Sequence, residues 1–217
     1  MTWVKICGMT NLEDALTAVE AGADAVGFVF YEKSPRNISV EAAREIVERL
    51  PENVEKVGVF VNEGIDRGDE ILRRVGLTTA QVYSESVAEW FAWHRSSSRK
   101  LMVGVSGESV SGEYLIHLGS GKRISALVVD SGSGDRPGGT GERFDWEAAK
   151  IGIWHLGQEV PVVVAGGLTP ENVDEAIKKL RPWGVDVASG VEAKAGKKDP
   201  EKVHAFVKAV RMAERPI

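Results

Sequence analysis

"WVKICGMTNLEDALTAVEAGADAVGFVF" (residues 3–30) decides how this chain folds. It runs from a short apolar stretch, "WVKIC", through a polar turn and an amphipathic segment into a second apolar stretch, "DAVGFVF". Asn11 is placed to cap a helix and Gly22 to stop it, with Leu12, Ala15, Leu16 and Val19 on the expected inward face. The unit therefore reads strand–helix–strand. An open doubly wound sheet would carry a G-x-G-x-x-G turn after its first strand. The turn here, "CGMTN", has a single glycine.

The same unit recurs. Further apolar, β-branched runs occupy 54–61, 79–83, 100–105, 124–129, 161–165 and 184–188, which with 3–7 and 24–30 makes eight. Most are almost continuously apolar, as parallel strands buried on both faces are. Helical patterns lie between them. Ser39 caps a segment ending at Pro51, with Ala42, Ala43, Ile46, Val47 and Leu50 inward. Thr169 and Pro170 open another, with Val173, Ile177 and Leu180 inward. Asp199 and Pro200 open the last. Segments 86–95 and 145–156 carry weaker helical patterns, and 107–119 is broken by glycine. No linker composition divides the chain. Eight alternating units in 217 residues imply an α/β fold, a single (β/α)8 barrel domain over 1–217.

The composition is that of an ordinary globular chain, 43% hydrophobic and 27% charged. A net charge of −5 disfavours a nucleic-acid or anionic-membrane binder. One cysteine cannot form an internal disulfide, so a reducing, cytoplasmic setting is expected. No apolar run approaches the roughly 20 residues of a membrane helix. No signal peptide pattern opens the chain. Four histidines and one cysteine make no zinc spacing. The six tryptophans read as packing rather than as a stacking platform. A monomer and a homodimer are both compatible with the sequence.

In such a barrel chemistry belongs at the C-terminal strand ends. Gly166–Gly167 and Ser189–Gly190 follow the last two strands, where backbone N–H groups can approach a phosphate. Cys7 ends the first strand and Asp130 the sixth. Each has a plain reading, a small packed hydrophobe and a loop cap. Together across one barrel mouth they form a candidate acid–base pair, able to move one proton off carbon and another onto oxygen. Arg36 could fork onto a substrate carboxylate or simply be solvated. Strand parity points Lys5 the same way as Cys7. The loop "DSGSGDRPGGTGERFDW" (130–146) lies on the catalytic face.

"VKICGMTN", "SPRNIS", "GGTGERFDW", "AGGLTPENV" and "ASGVEAK" occur in order and at compatible spacing. Together they resemble phosphoribosylanthranilate isomerase, the barrel enzyme of tryptophan biosynthesis. The resemblance implies an Amadori rearrangement of a small phosphorylated substrate, with neither metal nor redox cofactor. It implies Cys7 as general base and Asp130 as general acid. It implies Arg36 on the anthranilate carboxylate and Gly166, Gly167, Ser189 and Gly190 around the phosphate. The loop containing Gly139 would lie over that site. Gln81 matches the family's strand-four pattern, but Tyr83 and Ser84 stand where the family has a His–Gly pair. Two other readings are a related sugar-phosphate isomerase of histidine biosynthesis, in which aspartate is expected at the position of Cys7, and a non-catalytic or flavin-phosphate-binding barrel.

Overall fold

The computed structural model describes residues 1–84, 86–111, 124–132 and 143–213. Eight parallel strands close into a barrel in chain order: β1 (Trp3–Cys7), β2 (Ala25–Phe30), β3 (Glu55–Val61), β4 (Thr79–Tyr83), β5 (Lys100–Ser106), β6 (Ala126–Asp130), β7 (Val162–Val164) and β8 (Gly184–Val187). The ring shuts where β8 pairs with β1, setting Lys5 opposite Asp186. Seven α-helices are seen among the described residues: α1 (Leu12–Glu20), α2 (Val40–Val47), α3 (Ile65–Val75), α4 (Val87–Ser96), α5 (Trp146–Leu156), α6 (Val173–Leu180) and α7 (Pro200–Ala213). A small antiparallel hairpin, β9 (Glu192–Lys194) and β10 (Lys197–Lys198), precedes α7.

The continuous apolar strands are explained by two cores. Outward residues such as Val4, Ile6, Phe28, Phe60, Val129 and Val187 join the helices in one large cluster. Inward residues Ala25, Val57, Met102, Ala126, Val128 and Val163 pack against each other inside the barrel. A third, small cluster of Cys7, Val29 and Val59, with Tyr31, Tyr83 and Ala188 against it, marks the C-terminal mouth. Strand parity thus assigns each residue to shell or interior.

The expected caps at Asn11 and Ser39 form, accepting from Asp14 N and Ala42 N at 2.9 and 3.2 Å. Asp199 accepts from Glu201 N at 3.0 Å at the start of α7. Three expectations are corrected. Leu16 is exposed and Asp14 is buried in its place, because Asp14 Oδ2 accepts from Lys198 N at 2.7 Å. The helix expected from Thr169 and Pro170 begins only at Val173: Asn172 Oδ1 accepts from Thr169 N, which closes a separate turn first. Trp154 is 58% exposed, and Trp183 is partly exposed while stacking on Trp3, so packing describes only some of the six tryptophans. Helix α3 was not among the expected helices. Gly68 interrupts its pattern, yet Ile71, Leu72 and Val75 are buried on one side and Gly76, at φ 81°, ends it.

Candidate active site

A cleft at the mouth of the barrel, open to solvent, is lined by residues of β1 to β4, β6 and β8 and of the loops after β2, β7 and β8. Cys7, Arg36, Gln81, Asp130, Gly166, Gly167 and Ser189, all singled out by sequence, lie on its wall. Gly190 follows Ser189 in a short 3-10 turn, Ser189–Val191. Gly139 falls outside the described residues, as does the rest of 133–142.

Cys7 is buried at the end of β1. Lys5, two residues back on the same inward face, is fully buried and donates to Asp186 Oδ2 at 2.7 Å. A Cβ built on Gly27 would stand 2.7 Å from Cys7 Sγ and 3.2 Å from Lys5 Nζ, so thiol and ammonium share one small space. Burial pushes the Cys7 thiol up, against the pull of Lys5. Burial also opposes the charge on Lys5, but Asp186 and Cys7 outweigh it, and its pKa is raised. Lys5 therefore stays an ammonium beside the sulfur. Asp186 Oδ1 takes no hydrogen bond among the described residues.

Asp130 ends β6 and is also buried. Its Oδ1 accepts from Gly132 N at 3.0 Å and from Ser131 Oγ at 3.3 Å. Burial raises its pKa, and Asp186 adds to the rise, against the donors and Lys5. A carboxyl held this way keeps its proton to a higher pH than a free one, which suits a general acid.

Arg36 is fixed rather than solvated. Its Nε and Nη2 donate to the two oxygens of Glu192, both at 2.8 Å. Lys198, fully buried, donates to the same carboxylate at 3.0 Å and to Ala188 O at 3.1 Å. Burial opposes the Glu192 charge, but Arg36 and Lys198 hold its carboxyl below the usual range. The Nη1 edge of Arg36 takes no partner among the described residues, which leaves it able to meet an anion.

Gly166 and Gly167 have φ values of 78° and 63°, a backbone that side chains rarely adopt. A Cβ on Gly166 would collide with Ser131, and one on Gly190 with Leu168 O. The loops after β6, β7 and β8 therefore press together closely enough that only glycine fits at these two positions. Among the described residues no cluster of three or more His, Cys, Asp or Glu side chains could hold a metal ion. No helix there is long and apolar enough to cross a membrane.

The sequence matches the family described as N-(5'-phosphoribosyl)anthranilate (PRA) isomerase over residues 4–209. The chain belongs to the PRA isomerase family. It is 46% identical over 208 residues to the N-(5'-phosphoribosyl)anthranilate isomerase of Pseudomonas fluorescens (strain Pf0-1), covering 95% of this chain and 97% of that one. The fold is similar to the crystal structure of phosphoribosyl anthranilate isomerase from Thermotoga maritima. That structure has a TM-score of 0.84 and 39% identity, over 98% of this chain and 100% of that one. A second solved isomerase, in complex with reduced 1-(o-carboxyphenylamino)-1-deoxyribulose 5-phosphate, gives a TM-score of 0.80 at 37% identity, again over 98% and 100%. PRA isomerases are aldose–ketose isomerases of tryptophan biosynthesis.

Within this PRA isomerase family member, Asp186, Glu192 and Lys198 escaped the reading of the sequence. Asp186 had a signal, a charge in the middle of the apolar strand "GVDVA" at a position that closure sets opposite Lys5. Glu192 lies within "ASGVEAK", read above only for its Ser189–Gly190 turn, and Lys198 follows it; nothing in the sequence shows that both side chains of the β9–β10 hairpin turn back to the Arg36 anchor.

Proposed function

We propose that this chain catalyses the Amadori rearrangement of N-(5'-phosphoribosyl)anthranilate, with Asp130 as general acid and Cys7 as general base. Asp130 gives its proton to the ring oxygen, the sugar opens to an imine, and the acid is left as a carboxylate. The Cys7 thiolate takes the proton from C2′, and the enolamine that forms tautomerises to the ketone. Lys5 stabilises the thiolate as an adjacent cation. The free edge of Arg36 meets the anthranilate carboxylate, and the loops of Gly166, Gly167, Ser189 and Gly190 meet the phosphate. Gln81 contributes to substrate binding from β4. The chain acts as a single barrel domain in the cytoplasm, as a monomer or homodimer, on a small phosphorylated substrate.

The observation that carries this reading is that Cys7 and Asp130, from strands far apart in sequence, line one cleft, with burial raising the pKa of the acid. The protonation states follow. The thiol ionises at higher pH than the carboxyl, so thiolate with neutral acid is a minority form. A fluorescence assay following consumption of phosphoribosylanthranilate tests the function. Turnover by the wild-type chain is expected, and its absence with a folded barrel would end the proposal.

A further inference from the structure

Tyr83 stands on β4 where the resemblance expects histidine, and its surroundings give it a task. Its ring lies over Gly104 of β5, where a side chain of any kind would occupy the ring's place. Its hydroxyl receives Gln81 Nε2 at 3.0 Å and points to Asp130 Oδ2 at 3.5 Å. The other oxygen of Asp130 is already served by Gly132 N and Ser131 Oγ. With Gln81 donating into the phenol oxygen, the phenol's own proton faces Asp130. The opposite amide orientation would turn that proton to Gln81 and leave Oδ2 without a donor. A hydroxyl donating to a carboxylate makes the stronger bond, which favours the first arrangement.

We infer that Tyr83 is a positioning residue for the acid, holding Asp130 by its Oδ2 and supporting the carboxylate that remains once its proton has left. The inference rests on the reading of Asp130 as general acid. Burial, Asp130, Asp186 and Cys7 all raise the pKa of Tyr83 well above the usual phenol value, so it remains a donor throughout the working range. The separation is long for a hydrogen bond in the free site, and such contacts tighten when substrate closes around them. Each partner comes from a different element: Gln81 from β4, Gly104 from β5 and Asp130 from β6. The phenol therefore ties strand four to the acid across the strand between them.

The test is the pH profile of kcat/KM in Tyr83→Phe, which keeps the ring in its seat. The charged groups that face Asp130 from other strands are Asp186 on β8 and Lys5 on β1, and both are unchanged in the variant. Loss of a donor to the charged form raises a carboxyl pKa, so the limb belonging to Asp130 should move to higher pH by about one unit. The Cys7 limb should stay and KM should change little. Gly104→Ala, which displaces the ring but keeps the hydroxyl, should move the same limb the same way. A purely structural role would change turnover without moving the limb. An unmoved Asp130 limb in Tyr83→Phe overturns the inference. If Asp130→Asn itself keeps full turnover, the reading of the acid fails instead, and the two failures are separate.

Discussion

The inside of the barrel has two halves that differ in kind. Toward the N-terminal ends of the strands Ala25, Val57, Met102, Ala126, Val128 and Val163 form an apolar plug. Around the mouth, with the same inward parity, stand Lys5 and Cys7 of β1, Asp130 of β6 and Asp186 of β8. The plug contributes stability through packing. The mouth holds buried charge, which is costly unless paired, and its pairs are incomplete: Asp186 Oδ1 and Gln81 Oε1 lack partners among the described residues. One register of strands thus supports a half that can be optimised for stability and a half poised for chemistry.

Substitutions in the two halves should separate these roles. Asp130→Asn should lower kcat by about 10³-fold, the range for loss of a general acid, as read in the steady-state assay. It should not lower the melting temperature. The pKa of Asp130 is raised in the fold, so its charge opposes folding at pH values above that pKa. The penalty fades as pH falls through the folded value, so the asparagine variant should be at least as stable as wild type near neutrality. Equal activity, or a marked loss of stability, would break the contrast at its sharpest point.

Lys5→Met should cost both. It leaves the buried Asp186 carboxylate uncompensated, a loss of about 3 kcal/mol in denaturant unfolding. It also removes the cation beside Cys7, so alkylation of the thiol should require higher pH than in wild type. Met102→Ala, in the plug, should cost about 2–4 kcal/mol by leaving a cavity, while kcat stays near the wild-type value. The smallest expected effect on turnover among these mouth residues is that of Glu192→Gln, which also strips the buried Lys198 of its counter-charge and should cost stability. It loosens the fork on Arg36 and should raise KM more than it lowers kcat.

The pH profile sharpens the same contrast. Between the pKa of Asp130 and that of Cys7, kcat/KM should be level, because the active minority form is then a constant fraction. Activity should fall below the first value and above the second, while Met102→Ala should leave both limbs where they are.

The eight strands and several of the mouth residues at their ends were legible in the sequence, because buried parallel strands are continuous in apolar character and end abruptly, at a turn glycine after Cys7 and at a carboxylate after Val129. What depended on closure was not legible. The Lys5–Asp186 pair joins residues 181 positions apart and exists only because β8 returns to β1. Asp14 looked like the outer face of a helix until the β9–β10 hairpin covered it and bonded to it. Helix α3 was hidden by Gly68, which periodicity scores as a break but which makes room for the ring of Trp90. Arg36 was placed at the site by its sequence, but its anchor, Glu192, lies 156 positions away.

The central claim is that the lone cysteine is the base. The most direct measurement is turnover of phosphoribosylanthranilate by Cys7→Ala, with its melting curve recorded alongside. The account predicts a loss of about 10³-fold or more in kcat, with the fold intact. Near-normal turnover by a folded Cys7→Ala protein would contradict it.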